Sequence, residues 1–166
     1  MKYYRDSEFW LSLIILVFVI LFSTIAYIRW YSLTFFVGPY LFTHWLSLTG
    51  TSFISIFIPI YYILKHKRPQ STKVLLRIHV FGNLFSFLLI STHFAQHIGR
   101  LAAIFPYLDT GVVSFPILST IVATGFLERF HITGKIVSYR KIIHRYVTVF
   151  FYVIIIIHIL HGFNII

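Results

Sequence analysis

Five apolar stretches, each long enough to cross a lipid bilayer, constrain the fold of this chain more than any other feature. The stretches cover approximately residues 9–28, 40–64, 74–98, 112–127 and 142–163. A transmembrane helix needs about 20 predominantly apolar residues, and a mean hydropathy of +0.87 with 11% charged residues is unlike that of a soluble domain. The sequence therefore predicts an all-α protein: one transmembrane domain over residues 1–166, folded as a membrane bundle of five transmembrane helices.

The basic residues predict how these helices are oriented. The net charge of +10 lies in the polar segments between the apolar stretches, which in a membrane protein indicates topology and not a nucleic-acid partner. With the amino terminus inside, only Arg29 and Arg100 fall on the outer side, and this agrees with the excess of Lys and Arg in cytoplasmic segments. We therefore expect an integral protein of the cell membrane, surrounded by lipid, with a cytoplasmic amino terminus and an outer carboxyl terminus. The inner basic residues are Lys2, Arg5, Lys65, Lys67, Arg68, Lys73, Arg77, Arg129, Lys135, Arg140, Lys141 and Arg145.

Two of the predicted helices carry histidine pairs with the same spacing. His79 and His93 in the third helix, and His144 and His158 in the fifth, are each 14 residues apart. Fourteen helical residues span roughly 21 Å and return to within about 40° of the starting direction, so both rings of a pair point to nearly the same side. Because a single helix separates the third from the fifth, the two run in the same direction. His79 and His144 would then lie near the inner face, and the other two near the outer face.

Facing imidazoles at two depths are the ligand set for two haem groups. Histidines within a membrane span are costly and commonly functional, although interhelical hydrogen bonding stays open as an alternative role. The absence of cysteine excludes thiolate ligation and covalent attachment through a C-x-x-C-H motif. The sequence thus predicts two non-covalent haem b groups, the inner iron between His79 and His144 and the outer iron between His93 and His158. Two imidazoles on each iron are typical of electron transfer and not of oxygen binding.

Other residues are candidates for the surroundings of the haems. Gly82 lies one turn from His79, where a missing side chain would admit either the macrocycle or a close helix–helix contact. The basic side chains could pair with haem propionates or serve only as anchors at the inner surface. The candidates are Arg77, Arg145, Arg140 and Lys141 on the inner side and Arg100 on the outer side.

A second set of histidines accompanies the outer pair. His97 and His161 each lie one turn beyond a candidate ligand, and they could bind propionates, contact a quinone or replace the outer ligands themselves. The matched spacing favours His93 and His158. His44, in the second helix at a similar depth, is interpreted as a hydrogen-bonding residue or as a residue at the haem edge.

These residues carry a family resemblance. The segment Leu76-Arg77-Ile78-His79 with His93, and the segment from Tyr139 to Tyr146 with His158-Ile159-Leu160-His161, resemble the membrane domain of the ferric reductase/NADPH oxidase-like family. In that family two b haems bridge helices three and five and pass electrons outward, so the resemblance implies the same role for the four paired histidines. It covers helices three to five, whereas the sixth helix and the flavin domain usual in the family have no counterpart in this sequence. The pattern Arg77-x-His79-x-x-Gly82 is also similar to cytochrome b of quinol–cytochrome c reductases, in which helices two and four of a much longer chain hold the ligands.

The expected function is that of a di-haem b-type cytochrome that carries electrons across the membrane as a subunit of a larger redox complex. The electron donor would be another redox subunit or a quinol. Two alternatives stay open: a quinol- or quinone-reactive cytochrome b subunit of a respiratory complex, and a non-haem structural membrane anchor. A proton pump or cation carrier is not expected, because none of the four acidic residues falls inside a predicted span.

Overall fold

Five long helices dominate the computed structural model, which describes residues 2–28, 32–101, 110–130, 132 and 137–162. All five are long and apolar enough to cross a membrane. This confirms the predicted all-α architecture and the number of spans among the described residues. The helices extend beyond the apolar stretches because polar residues at their ends continue the helical hydrogen bonding. Their bounds are α1 Lys2–Tyr27, α2 Phe42–Lys67, α3 Thr72–Leu101, α4 Thr110–Phe130 and α5 Val137–Gly162.

A short hairpin precedes α2, where the sequence predicted the start of the helix at about Tyr40. Strands β1 (Phe36–Val37) and β2 (Tyr40–Leu41) pair antiparallel. Gly38 has a φ of +62° at the first central position of the turn, a conformation that two-residue hairpin turns require and that glycine adopts without a steric penalty. Trp45, in the first turn of α2, donates its indole N–H to the carbonyl oxygen of Val37 at 2.8 Å and fixes the hairpin to the helix.

The connection between α2 and α3 is shorter than predicted. A 3₁₀ helix, Pro69–Ser71, follows α2 almost directly, and the hydroxyl of Thr72 donates to the carbonyl oxygen of Pro69 at 2.7 Å. The basic segment between residues 65 and 73 is therefore largely helical, and its Lys and Arg side chains are exposed.

The chain divides into two compact units, Met1–Arg100 and Leu101–Ile166, and each is described by itself. In the first unit, α1 and α3 run parallel, because contacts occur at both ends in the same order. Arg77 pairs with Glu8 near the start of the helices, and the amide of Gln96 donates to the carbonyl oxygen of Ala26 near their ends. The description of the chain as a single domain stays a prediction.

Helix α2 runs antiparallel to α3 within the first unit. Its first turn contacts the end of α3 through Thr43 and His97, whereas Tyr61 near its end stacks on His79 near the start of α3. At the middle of the pair, a Cβ on Gly50 would lie 2.8 Å from the carbonyl oxygen of Ser86, so only glycine allows the two backbones to come this close.

In the second unit, α4 and α5 pack against each other in opposite directions. Thr110 at the start of α4 contacts His158 near the end of α5, and Thr124 near the end of α4 contacts His144 near the start of α5. Both candidate ligands of α5 are therefore positioned by the same neighbouring helix.

Candidate functional site

His93 is anchored to α2 through one ring nitrogen. Its Nδ1 lies 3.0 Å from the carbonyl oxygen of Thr43. A carbonyl oxygen can only accept, so Nδ1 carries the hydrogen and donates it, and Nε2 is left as the nitrogen with the lone pair. Thr43 itself is fully buried in the first turn of α2. This tautomer is the one that binds a metal through Nε2.

His97 uses the opposite ring nitrogen. Its Nε2 lies 3.3 Å from the hydroxyl of Thr43, the residue whose carbonyl oxygen accepts from His93. The ring centroid of His97 is 4.5 Å from that of His93 and 5.1 Å from that of His44. The first unit therefore brings all three histidines together. Within this cluster, His97 makes its hydrogen bond to Thr43 through Nε2.

His79 is contacted on its ring by residues of α2 and α3. The ring of Tyr61 from α2 stacks on it with centroids 4.7 Å apart and planes inclined by 17°. The amide nitrogen of Asn83, one turn further along α3, lies 3.3 Å from Nδ1 and 3.5 Å from Nε2. His79 thus contacts a side-chain amide, whereas His93 and His144 contact backbone carbonyl oxygens.

Gly82 accommodates the ring of Phe53 from α2. A Cβ built on Gly82 would collide with this ring. Of the two roles that the sequence allowed, the contacts of Gly82 match the helix–helix role, and a macrocycle lying on this glycine would require Phe53 to move.

His144 is anchored to α4 by two acceptors. Its Nδ1 lies 3.1 Å from the carbonyl oxygen of Ile121 and 3.1 Å from the hydroxyl of Thr124. The hydroxyl of Thr124 donates to the carbonyl oxygen of Thr120 at 2.7 Å, so it accepts from the histidine. As in His93, Nδ1 carries the hydrogen and Nε2 has the lone pair.

Gly125, which was not among the residues predicted from the sequence, makes this arrangement possible. A Cβ at this position would lie 3.1 Å from Cε1 of His144. The carbonyl oxygen of Ile121 points along α4 towards residue 125, so the missing side chain leaves room for the imidazole to reach that oxygen. The available signal in the sequence was the presence of a glycine inside a predicted transmembrane helix, where small residues commonly allow close packing.

His158 contacts the beginning of α4. Its Nδ1 lies 2.8 Å from the hydroxyl of Thr110. His161, one turn further along α5, is exposed. His158 therefore shares with His93 and His144 a hydrogen bond made through Nδ1.

The basic candidates have partners of their own where their side chains are described. Arg77 forms an ion pair with Glu8, with Nε 2.6 Å from Oε1, and Lys141 lies 3.4 Å from a carboxylate oxygen of Glu128. Arg145 is exposed. The side chains of Arg100 and Arg140 lie outside the described part of the structure.

Within the described ranges, no three histidine or carboxylate side chains converge as a metal-binding group. A haem iron with two imidazoles needs only two protein ligands, one from each of two elements. The predicted pairs His79–His144 and His93–His158 each join residues of different units, and both pairings stay predictions.

Comparison with known proteins adds no further information, since no family model, no curated protein and no solved structure matches this chain.

Proposed function

We propose that this protein is a di-haem b-type cytochrome of the membrane. It would bind the inner haem through His79 and His144 and the outer haem through His93 and His158. Helices α3 and α5 would then hold the two groups between them, at depths about 21 Å apart along each helix. The fold supplies the membrane-spanning helices that this function requires.

The observation that carries the proposal is the shared use of Nδ1 by three of the four candidate ligands. His93, His144 and His158 each make a hydrogen bond to a carbonyl or hydroxyl oxygen through Nδ1. Metal-binding histidines almost always donate their second ring N–H to such an acceptor, which fixes the tautomer and the orientation of the ring. Where the acceptor is a carbonyl oxygen, as for His93 and His144, Nδ1 is the donor and the lone pair of Nε2 points away from the anchoring helix.

His97 provides an internal contrast. Although its ring lies beside that of His93, its hydrogen bond to Thr43 is made through Nε2. Binding iron through Nε2 would break that bond. The contrast favours His93 over His97 as the outer ligand, in agreement with the matched spacing in the sequence.

Haem would supply one-electron redox chemistry when it is bound, and the four paired histidines would be the residues that hold it. The chain would hold the rings in position, exclude water with its apolar helices and balance propionate charge with basic residues. In the predicted orientation the amino terminus is cytoplasmic, and electrons move outward through the cell membrane. The donor is then a redox subunit or a quinol on the inner side.

A structural anchor is the second candidate, because the same hydrogen bonds also link helices. Thr43 ties α2 to α3, and Thr110 and Thr124 tie α4 to α5. Interhelical hydrogen bonds of this kind contribute on average about 0.6 kcal/mol each in a membrane protein. In this role the protein binds no haem at all.

Proteoliposomes test the electron-transfer function directly. The full chain is reconstituted with a membrane-impermeant oxidant trapped inside, and an impermeant reductant is added outside. We expect the trapped oxidant to be reduced by vesicles with the wild-type protein and not by empty vesicles or by vesicles with the His158→Ala variant. Haem-loaded wild-type protein that transfers no electrons across the bilayer would contradict the proposal.

A further inference from the structure

The ring of His79 is held differently from the other three candidate ligands. Tyr61 stacks on it from α2, with nearly parallel planes. The amide nitrogen of Asn83 is almost equally distant from Nδ1 and Nε2, at 3.3 and 3.5 Å. A donor aimed at the in-plane lone pair of one nitrogen would lie much farther from the other nitrogen. The amide therefore contacts the face of the ring, as Tyr61 does.

Two face contacts restrict the plane of an imidazole, whatever its in-plane nitrogens contact. Rotation of the ring about its Cβ–Cγ bond would drive an edge into the stacked phenol or into the amide. His79 is thus oriented by packing, whereas His93 and His144 are oriented by a hydrogen bond to a carbonyl oxygen.

Asn83, a half-buried residue, is unusual in its side-chain oxygen. Its side-chain oxygen is buried and has no hydrogen-bond partner among the described groups. A buried polar atom that lacks a partner destabilises the fold and calls for an explanation, and functional sites are where such departures are expected. Contact of its amide with a ligand ring is the interaction that the structure offers for this side chain.

We infer that Tyr61 and Asn83 are positioning residues for the inner haem, because together they set the plane of the His79 ring before iron binds. This inference rests on the proposed function. It goes beyond it by assigning to Tyr61 of α2, and to Asn83 one turn after His79, a role in the orientation of a haem ligand. The orientation of the axial ligands is one of the means by which a protein controls a haem iron.

The test is electron paramagnetic resonance of the oxidised, purified full chain at low temperature, because the signal of a low-spin ferric haem depends on the relative orientation of its two imidazole planes. We expect Tyr61→Leu and Asn83→Leu each to shift one of two ferric signals, and to weaken the binding of that haem about 10- to 100-fold. The second signal should stay unchanged. Two separate variants keep the test open if one of them does not fold.

Two controls accompany these variants. Tyr61→Phe keeps a stacked ring and should retain both wild-type signals. Ser12, one turn from Glu8 on α1, is fully buried, and like the side-chain oxygen of Asn83 its hydroxyl has no hydrogen-bond partner among the described groups. Ser12→Ala removes this hydroxyl and should also leave both signals unchanged.

The outcomes separate the two proposals. A wild-type protein with two ferric signals, neither of which changes in Tyr61→Leu or Asn83→Leu, would overturn this inference and leave the proposed function standing. A shift of both signals to the same extent would also overturn it, since a general disturbance of the fold has that effect. A wild-type protein without any haem signal would overturn the proposed function and this inference together.

Discussion

The two units hold their candidate ligand histidines through different kinds of contact. In the unit Leu101–Ile166, α4 contacts both candidate ligands of α5, through Thr110 at one end and through Ile121 and Thr124 at the other. In the unit Met1–Arg100, α2 supplies a carbonyl oxygen for His93 but an aromatic ring for His79.

The difference shows that the orientation of a ring and the choice of its tautomer are separate physical problems. A carbonyl acceptor determines both the orientation and the tautomer, because it fixes the direction of the ring and requires a hydrogen on Nδ1. A stacked aromatic ring determines only the plane of the imidazole. We therefore expect the histidines with Nδ1 anchors to depend on their polar partners, and His79 to depend on packing.

Replacement of the ligands should have the largest effect. His93→Ala should lower the haem content of the purified protein from two to one, because the outer iron loses an imidazole. His97→Ala should retain both haems, since its Nε2 contacts Thr43. The haem-to-protein ratio, measured from the reduced absorbance of a pyridine haemochrome, reports both results. Two haems in His93→Ala and one in His97→Ala would reverse the assignment of the outer ligand.

Loss of a hydroxyl anchor should have the next largest effect, and here the two ends of α4 differ. Thr110→Val removes the hydroxyl that contacts Nδ1 of His158 and should weaken binding of the outer haem about 10- to 100-fold. Thr124→Val should weaken binding of the inner haem by a smaller factor, because the carbonyl oxygen of Ile121 still accepts from His144. Transfer of haem to apomyoglobin at equilibrium measures both affinities. Equal losses in the two variants would contradict this ranking.

The two glycines give a third comparison between the units. Gly125→Ala places a methyl group 3.1 Å from Cε1 of His144, so the ring must shift by a few tenths of an ångström and haem affinity should fall about tenfold. Gly82→Ala forces the ring of Phe53 to move, which should cost about 1–3 kcal/mol of stability with both haems retained. Unfolding in mixed micelles and haem titration separate these effects. Loss of haem from Gly82→Ala at unchanged stability would show instead that Gly82 contacts the haem.

The ion pairs at the helix ends should have the smallest effect. Glu8→Gln breaks a contact of 2.6 Å with Arg77, but the arginine side chain is 46% exposed, so the expected cost is below about 1 kcal/mol. Glu128→Gln should cost still less, since Lys141 lies at 3.4 Å and is more exposed. Unfolding in mixed micelles at low and high salt measures both, and a larger loss in Glu128→Gln would contradict the ranking.

The helices could be predicted from the sequence because the thickness of a bilayer sets the number of consecutive apolar residues that a spanning helix needs. The spacing of His79 and His93 could likewise be interpreted within one helix, where geometry is fixed. The hairpin before α2 was missed because Gly38-Pro39 marks a turn without saying whether a strand or a helix follows. The partners of each imidazole were out of reach for a related reason. They depend on the register between helices, so neither Thr110 beside His158 nor Tyr61 beside His79 can be inferred from spacing along one chain segment.

The deciding measurement is the haem content of the purified full chain, together with its reduced-minus-oxidised visible spectrum. We expect two non-covalent haems in each chain and the sharp α-band of a six-coordinate b-type cytochrome. Folded protein isolated from haem-replete cells with no α-band and no extractable haem would contradict it, and would leave the histidines as ties between helices.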